Sequence, residues 1–209
     1  MSNVSGVKSK TFAANAASTA AICANQTNSG AGSMTLTDTG IAGVLVPGNL
    51  GTTVTIISTT STTNAGITFD VTGMGIDGSE VSQTTITGPA GSATVTTTQV
   101  FVSVTSITHS GTCTDVSCGI TATTTGTGVV TAGRTRVRGM HIVPSGTEGI
   151  IDFKNTSSSG TKLLEIGVYS DQSPVDPYIP DDGILFSAGA FINLGTTDLA
   201  DNVSIFYDG

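Results

Sequence analysis

The chain has 209 residues, a net charge of −8 and an isoelectric point near 4.3, and only 11% of its residues are charged. An acidic chain without clustered Lys and Arg excludes the basic surface that nucleic-acid binding requires. A mean hydropathy of +0.24 excludes a highly charged disordered chain, and the absence of a run of about 18 apolar residues predicts no membrane-spanning helix.

Thr, Ser and Gly take the place of the missing charges. Thr is β-branched and favours strands, and its hydroxyl group also allows it to face water. Alternating Thr and Val between Gly-rich turns therefore predict an all-β protein with neutral outer faces. A chain of this length can bury a core without disulfides or metals.

Residues 1–45 are predicted to form an N-terminal arm and the first strand. Residues 11–24 are rich in Ala but have no periodic apolar stripe, so a short helix and an extended strand fit them equally well. Residues 1–10 lack the apolar core of a signal peptide, which favours a protein made in the cytoplasm and released by lysis. We expect the start of the arm to order mainly on assembly, because it has little apolar surface to bury.

Residues 46–133 are predicted to form a Thr/Gly-rich β module. The Asp77-Gly78 pair favours a hairpin turn between two of its strands. Strands are predicted at 54–58, 67–72, 81–87, 93–108 and 116–121. Residues 123–133 fit either a linker or a bent strand.

Residues 134–209 are predicted to form a C-terminal β module. Strands are predicted at 134–143, 149–155, 162–169, 184–186, 190–194 and 203–207. Pro174, Pro177 and Pro180 stiffen the connection around Tyr178. Short strands separated by turn signals predict two β-sandwich or jelly-roll-like modules, whose sequences do not detectably repeat each other.

Arg134, Arg136 and Arg138 form the sharpest pattern in the sequence. At a spacing of two they share one face of a strand and leave Thr135 and Val137 to pack inward. One interpretation is a solvated edge strand that resists strand-to-strand aggregation. The other is an interface stripe that contacts acidic groups on a neighbouring subunit or on a capsid surface.

Cys23, Cys113 and Cys118 are too few to form a disulfide scaffold. Cys113 and Cys118 flank the end of a predicted strand and are candidates for a local disulfide after release into oxidising surroundings. The alternative is that both remain free, partly buried thiols. Zinc binding by the three cysteines and His109 would match no known ligand spacing, so no metal site is predicted.

No catalytic or cofactor-binding residues are predicted. His109 and His141 are the only histidines, and neither lies in a nucleophile motif such as G-x-S-x-G. Acidic residues around Asp176 and Asp181 lack the spacing of a calcium loop and fit a solvated loop. The chain also lacks phosphate-binding and dinucleotide-binding fingerprints. We therefore expect a protein that is not an enzyme and uses no cofactor.

Three segments of the chain have strand and turn patterns that resemble those of a known group of proteins. AICANQTNSGAGSMTL is one, the stretch from GITFDVTGMGIDGSEV to TTTQVFVSVTSIT is the second, and TKLLEIGVYS with YIPDDGILFSAGAFINLGTTD and VSIFYDG is the third. Their strand and turn patterns resemble the β-rich virion proteins that tailed bacteriophages encode among their structural genes. The resemblance implies an oligomeric component of the particle and supplies no catalytic residues.

The function we expect is that of a capsid decoration or cement protein, which stabilises the phage head through subunit interfaces. Such a protein is made in the host cytoplasm and located on the virion. Its expected partners are the major capsid protein or other virion proteins and further copies of itself, as a trimer, but neither nucleic acid nor a membrane. The alternative is a head-fibre, tail or receptor-binding component that contacts the host surface, for which Tyr178 is the one loop aromatic residue we nominate.

Overall fold

The computed structural model describes residues 6–13, 17–37, 44–45, 49–121, 126–171, 173–195 and 199–208. Over these ranges the predicted all-β class is confirmed, since they contain strands and no α-helix and every strand pair is antiparallel. This part of the chain therefore holds no helix able to cross a membrane.

The strands are numbered in chain order. They are β1 (Lys8–Phe12), β2 (Ser18–Asn28), β3 (Gly32–Ser33), β4 (Val44–Leu45), β5 (Thr52–Ser58), β6 (Thr68–Met74), β7 (Glu80–Thr87), β8 (Thr94–Phe101), β9 (Ser103–His109), β10 (Cys113–Ile120), β11 (Gly126–Thr131), β12 (Thr135–Pro144), β13 (Gly149–Asn155), β14 (Lys162–Val168), β15 (Ile184–Phe186), β16 (Ala190–Leu194) and β17 (Ala200–Asp208).

The strands form two modules, and one is inserted into the other. Sheets β1-β17-β12-β15 and β11-β16-β13-β14 make up what we call the framing module. Sheets β2-β10-β5-β8 and β3-β9-β6-β7, the second with β4 added beside β9, make up the inserted module. The chain therefore leaves the framing module after β1 and returns to it at β11.

Both modules have the strand order of a jelly roll. If the strands of each module are lettered B to I in chain order, with β3 and β4 sharing the letter C, both modules consist of sheets B-I-D-G and C-H-E-F. Two such sheets face each other in a double-sheet jelly roll. The expectation of sandwich or jelly-roll-like modules is thus met, and the two modules share a topology that their sequences do not reveal.

Each module has its own apolar core between its two sheets. The framing core includes Phe12, Phe153 and Phe186, all fully buried, and the inserted core includes Phe69 and Phe101. Burial of large apolar side chains is the main stabilising contribution to each sandwich.

The predicted N-terminal arm is divided between the two modules. β1 pairs with β17, so that Lys8 lies opposite Tyr207 and Phe12 opposite Val203, while β2 pairs with β10. Of the segment 11–24, for which a helix and a strand fitted equally well, residues 11–12 and 18–24 are extended, in β1 and β2. Lys8–Phe12 pairs with β17 and Phe12 lies in the framing core, so this part of the arm has apolar surface to bury within its own chain. The expectation that the first 20 or so residues order mainly on assembly stays a prediction.

Two further segments differ from the sequence prediction. Residues 93–108 were expected to form one long strand, but the chain changes sheets at Val102, and β8 and β9 lie in opposite sheets. The alternation is interrupted there, so that Phe101 and Val104, three residues apart, both lie in the inserted core. Residues 123–133 were predicted to be either a linker or a bent strand, and residues 126–131 of this segment form β11 of the framing module.

A wedge at residues 49–51 joins the modules. Leu50 lies just before β5 of the inserted module, yet its side chain is buried in the framing core. Asn49 Nδ2 donates a hydrogen bond of 2.8 Å to the carbonyl of Thr11. Gly128 is required beside this wedge, since a Cβ there would lie 2.4 Å from the Phe12 ring and 2.9 Å from the Asn49 carbonyl oxygen.

Candidate functional site

The arginine stripe lies on the outer face of the framing module, in the alternation that the sequence predicts. Thr135 and Val137 are buried, Arg136 and Arg138 are half-buried, and Arg134 is exposed just before β12 begins. The interpretation of β12 as an edge strand is wrong, because it pairs with β17 on one side and β15 on the other. Protection of a sheet edge therefore does not explain the stripe.

Two of the three arginines bind groups of their own chain. Arg138 forms an ion pair of 2.6 Å with Asp208 and donates a hydrogen bond of 2.7 Å to the carbonyl of Asp181. Arg136 donates one of 2.9 Å to the carbonyl of Asp182. The hydrogen bond with Asp208 raises the pKa of Arg138. Arg134 alone has no described partner, so it is the member of the stripe that is available to another molecule.

A disulfide between Cys113 and Cys118 is incompatible with the fold. Both residues belong to β10, and all three cysteines are free and buried. Five residues of extended strand span about 16 Å, whereas a disulfide requires Cα atoms within about 7 Å of each other. The chain stays extended between Cys113 and Cys118 instead of turning back, so the two thiols cannot meet.

The residue that faces Cys118 is Cys23, on the neighbouring strand β2. Cys113 instead lies against Met34, with 3.9 Å between their sulfur atoms. No local pattern in the sequence indicates that Cys23 and Cys118 are paired, since the two residues are far apart in the chain. Among the described residues, no cluster of His, Cys, Asp or Glu is suited to hold a metal ion.

His109 has a structural role in the inserted module. Its Nδ1 lies 2.7 Å from the carbonyl of Gly111, and its Nε2 lies 3.3 Å from Nδ2 of Asn28. Nδ1 must therefore carry the proton that is donated to the carbonyl, and Nε2 accepts from the amide. The ring also packs against Phe69, so neither nitrogen is directed at a substrate.

His141 lies on the framing module beside two residues of the types found in a catalytic triad. Its Nδ1 is 2.9 Å from Asp176 Oδ1, and Ser204 is its cross-strand neighbour on β17. The Ser204 hydroxyl, however, is hydrogen-bonded to the hydroxyl of Thr11 at 2.8 Å. Ser204 is also in a regular strand, without the sharp turn that exposes a nucleophile and places backbone donors beside it.

The Pro-rich connection between β14 and β15 holds Tyr178 in the solvent. Tyr178 is 84% exposed, whereas the next residue, Ile179, is buried against the framing core. Val175 makes two backbone hydrogen bonds with Ile142 and so attaches the connection to β12. A side chain exposed on an anchored, Pro-stiffened segment can bind a partner with little loss of conformational entropy.

A shallow groove lies at one end of the β13–β14 hairpin. It has a volume of about 540 Å³ and is lined by Glu148, Gly149, Ile150, Glu165, Gly167, Val168 and Tyr169. Tyr169 is 58% exposed and Ile150 is 45% exposed. Gly167 lies opposite Ile150, and a Cβ on this glycine would meet the Tyr169 hydroxyl at 3.8 Å and its ring at 3.9 Å. The groove thus combines an aromatic and an aliphatic side chain with two carboxylates.

The same hairpin carries a charge cluster and another exposed apolar residue. Lys162 forms ion pairs with Glu165 and, at 3.2 Å, with Asp152. These two carboxylates, Glu165 first, raise the pKa of Lys162. Leu163 is 42% exposed on the outer face of β14. Strict alternation along β13 and β14 would have predicted that Ile150, Leu163 and Tyr169 lie on the outer face. No such surface was predicted from the sequence.

Comparisons with known proteins identified no relative: no protein-family model, no curated protein and no solved structure matches the chain.

Proposed function

We propose that this protein is a non-enzymatic structural component of a bacteriophage particle, bound to the outside of the head as a decoration protein. The observation that carries the proposal is the exposed apolar face of the β13–β14 hairpin, formed by Ile150, Leu163 and Tyr169. Apolar surface concentrated on one element of a folded module is typical of a surface that binds another protein. The resemblance to phage virion proteins favours the capsid as that partner.

The remaining surface suits a protein that stays in the solvent around a particle. The exposed strands β7 and β8 present mainly Thr, Ser and Gln, such as Ser82, Thr84 and Thr98. Hydroxyl groups keep these faces hydrated without creating a strong charge. The hairpin and the residue that follows it differ from β7 and β8 in presenting three large, exposed apolar side chains, Ile150, Leu163 and Tyr169.

The mechanism of stabilisation would be mechanical. A decoration protein that bridges neighbouring capsid subunits adds buried interface, which must be broken before the shell opens. An interface of about 1,600 Å² is sufficient for stable binding if it is well packed. Leu50 precedes a strand of the inserted module and is buried in the framing core, and this packed contact would couple the two modules in the bound unit.

The direct test uses purified particles of the phage whose genome encodes this chain. Quantitative mass spectrometry should find it at a copy number comparable to that of the major capsid protein. Its absence from particles would refute the proposal, and a copy number as low as that of tail or vertex proteins would contradict a decoration role.

Variants locate the binding surface. Ile150→Ser combined with Leu163→Ser should abolish rebinding to particles that have been stripped of this protein. Val100→Ser is the matched control, because Val100 is similarly exposed but lies on the inserted module. Equal binding by both variants would show that the hairpin is not the contact surface.

A second candidate function follows from the groove beside Tyr169. An aromatic ring next to carboxylates can stack on the apolar face of a sugar while the carboxylates accept hydrogen bonds from its hydroxyl groups. This arrangement favours the alternative of a component that binds polysaccharide on the host surface. A glycan array should then show binding that Tyr169→Ala removes and Tyr178→Ala retains. Loss of binding only with Tyr178→Ala would place the site on the Pro-rich connection instead.

The absence of enzymatic activity is also part of the proposal. Purified protein should not turn over esterase, glycosidase or peptidase substrates, because the Ser204 hydroxyl is hydrogen-bonded to the Thr11 hydroxyl and Ser204 lies within a regular strand. Turnover that disappears in both Ser204→Ala and His141→Ala would contradict the proposal.

A further inference from the structure

Cys23 and Cys118 occupy opposite positions on neighbouring antiparallel strands. Residues that face each other across such strands have Cα atoms about 4.5–5.5 Å apart, and a disulfide joins Cα atoms about 4.4–6.8 Å apart. We propose that Cys23 and Cys118 form a cross-strand disulfide when the protein enters an oxidising environment. This modification goes beyond the proposed function and holds whether or not the chain is a particle component.

The surroundings of the cysteines favour the Cys23–Cys118 pair over the two other pairs that three cysteines allow. Both side chains point into the core of the inserted module and are fully buried. Cys113 shares that core but is separated from Cys118 along β10 and lies against Met34. Cys23 belongs to an edge strand, because β2 is the outermost member of its sheet. Local opening of β2 therefore exposes Cys23 without unfolding the rest of the module.

The two thiols differ in their chemical roles. The hydrogen bond between them lowers the pKa of Cys23 and, together with burial, raises that of Cys118. Cys23 is therefore suited to react first as a thiolate, and Cys118 to react second.

With oxidised glutathione as the oxidant, the exchange is balanced. The Cys23 thiolate attacks one sulfur of glutathione disulfide, a Cys23–glutathione bond forms, and one glutathione thiolate leaves. Cys118 then loses its proton and attacks the Cys23 sulfur, which releases the second glutathione. Two protein thiols are oxidised, and one glutathione disulfide is reduced to two thiols.

The disulfide would close a loop that contains most of the inserted module and attach its edge strand covalently to β10. Loops of this length restrict the unfolded chain strongly. The oxidised protein should therefore unfold at a temperature higher than the reduced protein by roughly 5 to 15 °C.

Peptide mapping identifies the pairing. Trypsin is unsuitable, because no Lys or Arg lies between Lys10 and Arg134 and one tryptic peptide would contain all three cysteines. Cleavage before aspartate separates them into peptides 1–37, 77–114 and 115–151. The folded full-length protein is incubated with oxidised glutathione, free thiols are alkylated, and the digest is analysed without reduction.

We expect peptides 1–37 and 115–151 to be linked, and peptide 77–114 to carry the alkyl group. Cys113→Ala should retain the link and the rise in unfolding temperature, whereas Cys23→Ala should lose both. A link between 77–114 and 115–151 in the folded protein would overturn the proposal. So would the absence of any link under conditions in which the denatured chain forms disulfides.

Discussion

Gly51 donates its backbone N–H to the carbonyl of Thr127 at a distance of 3.1 Å, and this hydrogen bond joins the inserted module to the framing module. A Cβ on Gly51 would lie 2.4 Å from Ile76 and 2.5 Å from Val100, so the packing of these inserted-module side chains around residue 51 needs glycine. The side chain of the neighbouring Leu50 is buried in the framing core. The junction is therefore a packed contact as well as a chain connection.

Leu50→Ala should destabilise the framing module, although Leu50 is adjacent in sequence to the inserted module. Truncation of a buried Leu leaves a cavity and costs about 2–5 kcal/mol. Hydrogen exchange should accordingly show faster exchange in β12 and β17, and denaturant unfolding should give the free energy. Leu163→Ala, on an exposed face, is the control. An equal effect of the two variants would contradict the burial of Leu50 in the framing core.

Thr55→Val should leave the protein equally stable or more stable. The Thr55 hydroxyl is buried and has no hydrogen-bond partner among the described residues. Replacing it with a methyl group removes an unsatisfied polar atom, with an expected gain of up to about 1 kcal/mol in the free energy of unfolding.

Thr97→Val is the matched variant with the opposite expectation. The Thr97 hydroxyl accepts a hydrogen bond from the Val54 N–H and donates one to the Gln99 carbonyl, both of 2.9 Å. Its loss would leave the Val54 N–H buried without a partner, at a cost of about 1–3 kcal/mol. Chemical denaturation of both variants measures the contrast, and a stability loss in Thr55→Val as large as that in Thr97→Val would refute it.

Arg134→Ser and Arg138→Ser should separate assembly from folding. Arg138→Ser should lower the thermal midpoint, because Asp208 loses its ion-pair partner, and added salt should reduce the difference. Arg134→Ser should leave the midpoint unchanged and weaken self-association or particle binding. Calorimetry and analytical ultracentrifugation provide the two measurements. Wild-type association of Arg134→Ser at every ionic strength would exclude an interface role for that residue.

Lys10 should make stability increase with pH in the alkaline range. Its Nζ donates a hydrogen bond of 2.7 Å to the Val129 carbonyl, and this bond links β1 in one sheet of the framing module to β11 in the other. Burial lowers its pKa below the ordinary value of 10.5. The unfolded chain therefore holds the proton more strongly, so stability rises as pH increases through the lowered pKa and reaches its full gain above 10.5.

The contribution of Lys10 is isolated by comparison with Lys10→Met. The free energy of unfolding of wild type minus that of the variant should increase with pH in this window, when both are measured by urea denaturation. A difference that stays constant or falls with pH would show that Lys10 is not buried in its charged form.

The sequence by itself determined the features that depend on local periodicity. Thr-rich alternation predicted an all-β chain, and strands β13 and β15 are found at the predicted residues. Period-two spacing placed Arg136 and Arg138 outward and Thr135 and Val137 inward. These predictions hold because the alternation of side chains along a strand is a property of the extended backbone itself.

Only the tertiary structure decided which strands pair. Lys8–Phe12 completes a sheet with β17 at the other end of the chain, Leu50 enters the core of the other module, and Cys23 faces Cys118 instead of leaving Cys118 to pair with Cys113. Each of these contacts joins residues far apart in sequence. An alternating strand can pair with many others, and its partner and register are selected by which faces are buried together in the complete fold.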